Sequence, residues 1–469
     1  MVELMQEMEA VVAESDMSKG FVLSDNILKN DVNDNKFDGA YSHKASKSLN
    51  DLDLFTKGQP FDFYKELREK APIYFHQPMP TDPEPGYWVL TKYEDIKYVS
   101  MNPNIFSSQY SSGNLLTLGN EENRHPKLFK STIDHMLNLD GEMHLGLRKE
   151  HMPFFKAGHV EELQKKVSMK VTELLDAIAP LGECNLVHNV SQQLPIFTLS
   201  EVLGIPEEDR QKLVSWMEFL ELAQYFTYEM IKEQNEGKTD STPDPAMIEM
   251  FNAMVDEMFD YGRSILKSKR ENPSDDLLSA IANAKIDDKK LTDEFLDGSW
   301  LLIIFAGNDT TRNTMSGGIK LLHENQSQKE LLMQNLDLLP NFINETVRCV
   351  SPVIHMRRTS LEETEINGQR IGPYEKISLW YGAANRDPDI FENPDQFNIL
   401  RENADKHLAF GIGRHTCLGK PVALMQLKEF YSQFLTRFKD FEMNGDWKVA
   451  PNNFVHAIQE MPIKFTPIK

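Results

Sequence analysis

The sequence predicts a mainly α fold with a small β part. Three observations carry this. Apolar residues recur at i, i+3 and i+4 across 160–179, 206–228, 247–269 and 291–323. Runs that read as strands are short and few: 88–91, 364–371 and 376–380. At 469 residues, 40% hydrophobic and 10% aromatic, the chain can bury a large core in one domain or two.

Each segment has its own warrant. Residues 1–50 open acidic and then turn to Lys, Asn, Asp and Ser with few large apolar side chains. That composition stays partly disordered, so this part reads as an appendage. The domain proper is assigned to 51–469, with packing expected from about Phe55. The polar, acidic stretch 232–244 breaks two of the helices. The 291–323 pattern makes a helix of about 30 residues, roughly 45 Å long. At its middle stands Ala306-Gly307-Asn308-Asp309-Thr310-Thr311. Gly costs about 1 kcal/mol inside a helix, so an interruption is expected there, with room for a ligand or a water. No internal repeat is present.

Charge and cysteine usage exclude several classes. The formal charge is −22, from 50 basic and 72 acidic residues. This argues against nucleic acid and against an anionic membrane surface. Cys184, Cys349 and Cys417 are too few and too scattered for a disulfide framework, which points to a reducing, cytoplasmic setting. No apolar run approaches the ~20 residues of a membrane span. The first residues are acidic where a signal peptide would be basic, so neither leader nor anchor is expected.

The most specific segment is Phe410-Gly411-Ile412-Gly413-Arg414-His415-Thr416-Cys417-Leu418-Gly419, followed by Pro421 and a helical run over 422–438. A cysteine just ahead of a helix start is favoured as a thiolate by unpaired N–H groups and the helix dipole. The glycines let a large flat cofactor lie against the backbone. The spacing F-G-x-G-x-x-x-C-x-G resembles the haem-binding loop of the cytochromes P-450, the haem-thiolate monooxygenases. The distal stretch, Gly307-Asn308-Asp309-Thr310-Thr311, resembles that family's distal-helix signature.

The resemblance, over about 55–467, implies a single-domain triangular helical prism. It implies haem b (iron protoporphyrin IX), with Cys417 as the iron ligand and Phe410, Gly411, Gly419, Ala306 and Gly307 against the ring. Asp309 and Thr310 become the acid–alcohol pair that passes protons during O2 activation. His144 and Arg148, on one helix face, match the family's H-x-x-x-R pair, and with Arg358 and His415 they would hold the propionates. A one-residue slip would exchange Arg357 for Arg358. Glu345 and Arg348, in E-x-x-R spacing, and Arg401 match a buried structural ion triad.

For the substrate, expected walls are 301–306, 352–355 and 453–455, including Leu302, Phe305, Val353 and Phe454. His355 is the one expected polar anchor, and the aromatic stretch 216–228 with the loop through Asp244 would be a lid. The motifs look like soluble bacterial members that hydroxylate acyclic monoterpene alcohols or alkyl-chain ends. Steroid side-chain oxidation and O-demethylation remain open on the same scaffold. With no flavin or nicotinamide motif in the chain, electrons would come from a ferredoxin with its NAD(P)H-dependent reductase. The ferredoxin would dock on Arg148, Lys149, Lys156, Arg414 and Lys420 of a likewise expected monomer. Two rival readings are a peroxygenase or isomerase on this scaffold and a non-catalytic haem sensor or binding protein.

Overall fold

The longest helical pattern becomes the axis of the fold. The computed structural model describes residues 47–76, 86–109, 126–133, 135–219, 245–286 and 288–468. Nearly all of the predicted appendage, the second part of the 206–228 helix and the 232–244 loop lie outside the described residues.

In chain order the elements begin with α1 (Phe61–Lys70), β1 (Ile73–His76), β2 (Tyr87–Leu90), α2 (Tyr93–Met101) and β3 (Phe106–Ser107). There follow α3 (Pro126–Ile133), α4 (Gly141–His151), α5 (Ala157–Ile178), β4 (Glu183–Asn185), α6 (Gln193–Leu203) and a helical segment over 210–219. Next come α7 (Pro245–Glu271), α8 (Leu277–Asn283), the hairpin β5 (Lys285–Ile286) and β6 (Lys289–Lys290), and α9 (Asp293–Glu324). The last third holds α10 (Gln326–Gln334), α11 (Leu339–Val350), β7 (His355–Ser360), β8 (Thr364–Ile366), β9 (Gln369–Ile371), β10 (Lys376–Trp380) and α12 (Tyr381–Ala384). It closes with α13 (Lys420–Arg437), β11 (Glu442–Met443), β12 (Lys448–Ala450), β13 (Ala457–Glu460) and β14 (Pro462–Lys464).

Helix α9 starts where Thr292 caps Phe295 N and two acidic residues, Asp293 and Glu294, face the positive helix end. Its first half, with Leu296, Trp300, Leu301 and Ile304, belongs to one core cluster with α7 and α8. Its second half, with Met315, Ile319 and Leu322, belongs to another with α5, α11 and α13. The 306–311 segment falls between the two cores. Contrary to the expected interruption, α9 is helical throughout. Thr310 Oγ1 donates to Ala306 O at 3.3 Å and Thr314 Oγ1 to Thr310 O at 2.7 Å. Packing on both flanks overrides the local cost of Gly307. Helix α7 approaches α9 closely at Gly262, where a Cβ would come within 2.5 Å of Trp300 Cδ1.

The main sheet has the order β1-β2-β10-β7-β3. β2 and β10 pair in parallel, Val89 against Ser378, across almost 290 residues of chain, while the other pairs are antiparallel. The predicted 364–371 strand is two strands, β8 and β9, joined at Asn367 and Gly368. Packing begins ahead of Phe55. Leu49 is fully buried, Ser48 Oγ meets His76 Nε2 at 2.9 Å, and Tyr87 donates to Asn50 Oδ1 at 2.6 Å. Among the described residues no helix is long and apolar enough to cross a membrane.

Candidate active site

Two walls face each other across a cavity of about 380 Å³. The first is the loop ahead of α13. Cys417 N donates to Phe410 O at 2.8 Å, folding the ten residues into a tight turn. Gly411 and Gly413 take left-handed φ of 67° and 79°. At Gly413 a side chain would also strike Ser100 O, 2.7 Å from an added Cβ. Gly419 is the N-cap of α13 and Pro421 stands in its first turn. Cys417 lies deep in the fold yet is exposed, because it opens onto the cavity. Burial pushes its thiol above the ordinary value, against the N–H groups of Gly419 and Lys420 and the charges of Arg148 and Lys420. The thiolate-stabilising donors expected from the sequence are present. Burial outweighs them, so the free thiol is not favoured as an anion, and a cation at the sulfur would be needed to hold it so.

Around this wall stand the expected cations. His144 and His415 stack at 4.1 Å. His415 Nε2 lies 3.2 Å from Asp140 Oδ1, and Arg148 Nη2 donates to Thr416 O at 2.6 Å. Burial and then the charges of His415 and Arg148, with Arg358 beyond them, push His144 down to about 4. Burial likewise lowers His415, opposed by Asp140 and reinforced by Arg358 and Arg148. Alternation along β7 sends Arg357 and Arg358 to opposite faces. Arg358 is the one whose charge bears on both histidines, while the Arg357 guanidinium lies 4.8 Å over the Tyr87 ring. Both arginines line the cavity.

Asp140, the carboxylate beside these groups, is already bonded to Ser107, the backbone N–H of Ser108 and His415. Two arginines and two histidines that the arginines' charges depress, gathered around one cavity, fit a flat ligand bearing further carboxylates. The thiol wall and the small residues Ala306, Gly307, Gly411 and Gly419 beside the same cavity fit the ring of a haem.

The second wall is α9. Leu302, Phe305, Ala306, Gly307, Asp309 and Thr310 all line the cavity, as do Val353 and Phe454 from beyond it. Asp309 Oδ1 is held by Asn308 Nδ2 at 3.3 Å and by Arg312 at 3.5 Å, and Arg312 is 2% exposed. His355 is a correction. It does not line the cavity. Its ring stacks on Trp380 at 4.6 Å, and its Nδ1 is taken by Asn453 O at 2.7 Å, so it serves the core. The lid stretch lies outside the described residues beyond 219. Trp216 itself is buried against Trp300 and Tyr261.

The ion triad forms as expected. Glu345 takes two bonds from Arg348, at 2.7 and 2.8 Å, and is 3.1 Å from Arg401. Arg348 also donates to Asn385 O, and the Asn385 side chain accepts from Leu408 N, at the entrance of the cysteine loop. The triad therefore braces the loop from outside the cavity. Sequence reading missed Arg312, His135 and Ser299, all of which line the cavity. Ser299 had a signal: it stands seven residues before Ala306, on the same helical face.

This prism of helices around a thiol-faced cavity defines a haem-thiolate oxidoreductase. The chain belongs to the cytochrome P450 family, whose model, "Cytochrome P450", matches residues 52–466. Linalool 8-monooxygenase of Pseudomonas putida is 30% identical, covering 89% of this chain and 98% of that protein. Steroid C26-monooxygenase of Mycolicibacterium smegmatis is 31% identical over 73% of this chain and 84% of its own. Among solved structures, Mycobacterium marinum cytochrome P450 CYP268A2 in complex with pseudoionone superposes with a TM-score of 0.77 at 28% identity, covering 90% and 98% of the two chains. The protein is thus a P450 monooxygenase of a family whose cofactor is haem b, and the non-catalytic reading falls away.

Proposed function

We propose that the protein hydroxylates a small hydrophobic molecule at a terminal or allylic carbon, an acyclic terpenoid alcohol or alkyl chain, with O2 and electrons from a ferredoxin. One observation carries this reading. A single cavity has Cys417 on one wall, Asp309 and Thr310 on the other, and apolar side chains such as Leu302, Phe305, Val353 and Phe454 beside them. The names of the linalool 8-monooxygenase and of the pseudoionone complex support the acyclic class.

Bound haem supplies redox-active iron for reductive activation of O2. In this chain Cys417 Sγ would bind the iron, and His144, Arg148, Arg358 and His415 would pair with the propionates. The Thr310 hydroxyl hands on protons, and the Asp309 carboxylate resupplies them once it leaves Arg312. The apolar walls exclude water from the reacting carbon.

The purified protein should hold one haem, and its reduced carbonyl complex should show the red-shifted Soret band of a thiolate ligand. Cys417→Ala should lose that band, and a variant that kept it would refute the ligand assignment. A panel of terpenoid alcohols, alkanes, steroids and aryl methyl ethers, read by the low-to-high-spin absorbance shift, tests the substrate class. A shift with steroids or ethers alone would overturn the acyclic reading.

A further inference from the structure

With His355 committed to the core, the cavity needs another group to orient a polar substrate. We propose that His135 and Ser299 form that anchor, and that the substrate carries a neutral hydroxyl or carbonyl at the end opposite the oxidised carbon. The inference rests on the substrate site named above and deepens it.

His135 lines the cavity and is 3% exposed, yet among the described residues its Nδ1 has no hydrogen-bond partner outside its own residue. A buried polar atom is rarely left unpaired unless something fills the place. Burial holds the imidazole near a pKa of about 4, so it is neutral at pH 7. A neutral imidazole offers one donor and one acceptor, which suits a hydroxyl. Ser299 lines the same cavity and is 3% exposed, so its hydroxyl is at hand for the same oxygen.

Position agrees with this role. Ser299, Ala306 and Thr310 are seven and eleven residues apart, so they fall within about 20° of one line along α9. Ser299 is then about 16 Å up the helix from Thr310, at the far end from the proton relay. His135 follows α3 by two residues, and α3 is pinned to the start of α9 by Lys130 and Glu294 at 3.5 Å. Between the ends the wall is apolar, with Leu302 and Phe305. A stretched alcohol thus has its oxygen met at one end and its carbon chain delivered to the other. A carboxylate would meet no charge at His135 or Ser299. Arg357 is the competing polar group, and it offers an acid the opposite fit.

The test uses the holoprotein and three probes: geraniol, the hydrocarbon in which hydrogen replaces its hydroxyl, and geranic acid. Dissociation constants come from spin-state titration of wild type, His135→Phe, His135→Gln and Ser299→Ala. The carbonyl spectrum of each variant checks that fold and haem are kept. His135→Phe should weaken geraniol about tenfold and leave the hydrocarbon unchanged, while His135→Gln keeps most of the affinity. Ser299→Ala should act in the same direction, less strongly.

Equal binding of geraniol to wild type and His135→Phe overturns the proposal, and so does equal loss of alcohol and hydrocarbon. Tightest binding of geranic acid, lost in Arg357→Met, overturns it in favour of a cationic anchor. If only a hydroxysteroid binds, the acyclic reading fails, and the anchor is decided by the same comparison of that steroid with its deoxy counterpart. If no probe binds wild type, both readings fall.

Discussion

Asp309 shows how much a single side chain's neighbours decide. Its carboxylate is held by Asn308 and Arg312 on its own helix, and the Thr310 hydroxyl is turned back to Ala306 O. Both groups therefore rest away from the task assigned to them, and both must swing to perform it. Thr310→Ala should still bind substrate and accept electrons, but release most of the reducing equivalents as peroxide, measured as peroxide formed per NAD(P)H consumed. Asp309→Asn should slow turnover by about 100-fold, since the relay loses its acid, with the substrate-induced spin shift retained. Normal coupling in the first variant or normal turnover in the second would remove the relay. Gly262 matters for the opposite reason, because it carries nothing. Gly262→Ala would push a methyl group into Trp300, whose Nε1 donates to Met258 O at 3.0 Å. A loss of about 1–3 kcal/mol is expected, seen as a lower Tm at unchanged ligand affinity.

At the scale of elements, legibility followed periodicity. Helices α5 and α7 each bury one stripe and were readable from spacing alone, and α9 was readable from the length of its pattern although it is buried on more than one face. Helix α6 was not, because Gln193–Leu203 is apolar around most of its circumference and offers no stripe. Strand β7 is not among the predicted strands, because His-Met-Arg-Arg-Thr-Ser shows no alternation of apolar and polar residues. Its burial comes from partners on both sides, β10 and β3, which no local pattern reveals. The same gap explains His355: its fate depends on Trp380 across the strand pair and on Asn453, almost a hundred residues away. The cysteine loop and the Glu345–Arg348 pair were legible because they keep short spacings, whereas Arg401, 56 residues from Glu345, was legible only through the family resemblance. Glu345→Gln tests the brace formed by α11. It strands two buried guanidinium groups and should cost about 3–5 kcal/mol. A sharply lower Tm and poor haem retention are expected, and near-normal values for both would deny the triad its part in holding the loop.

For the molecule as a whole, buried histidines set the acid limit. Burial lowers His135, His151 and His456 to about 4 and His355 and His407 to about 3. The unfolded chain takes up protons at these positions as pH falls through about 6.5, and the folded chain does not. Their effect is nil above pH 6.5, and stability declines steadily as pH drops towards 4. Asp95, raised by burial to about 6, works the other way, but it is one group against five. Tm should therefore fall clearly between pH 6.5 and 5, and a flat profile would contradict these shifts. The surface gives a separate prediction. Of the residues proposed for ferredoxin docking, Lys149, Lys156 and Arg414 are exposed, while Arg148 is tied to Thr416 O. Ferredoxin-driven turnover should decline as salt rises above ~0.1 M, where charges are screened beyond ~10 Å. Arg414→Glu should raise the ferredoxin KM without moving substrate affinity, and salt-independent turnover would exclude this face.

The parallel pairing of β2 with β10 has a consequence in time. Strand β2 is made early, but it lacks its neighbour until Lys376–Trp380 has been synthesised. Cys417 and His415 follow later still. Such long-range closure is slow, and an incomplete chain exposes unpaired strand edges while it waits. The helices over 157–203 can begin to form on the emerging chain, although their core partners α11 and α13 are made much later. The site itself cannot, since its thiol comes from the last eighth of the sequence and its distal wall from the middle. Cofactor capture is therefore a late event in the life of each molecule, and the nearly finished chain is its most vulnerable stage.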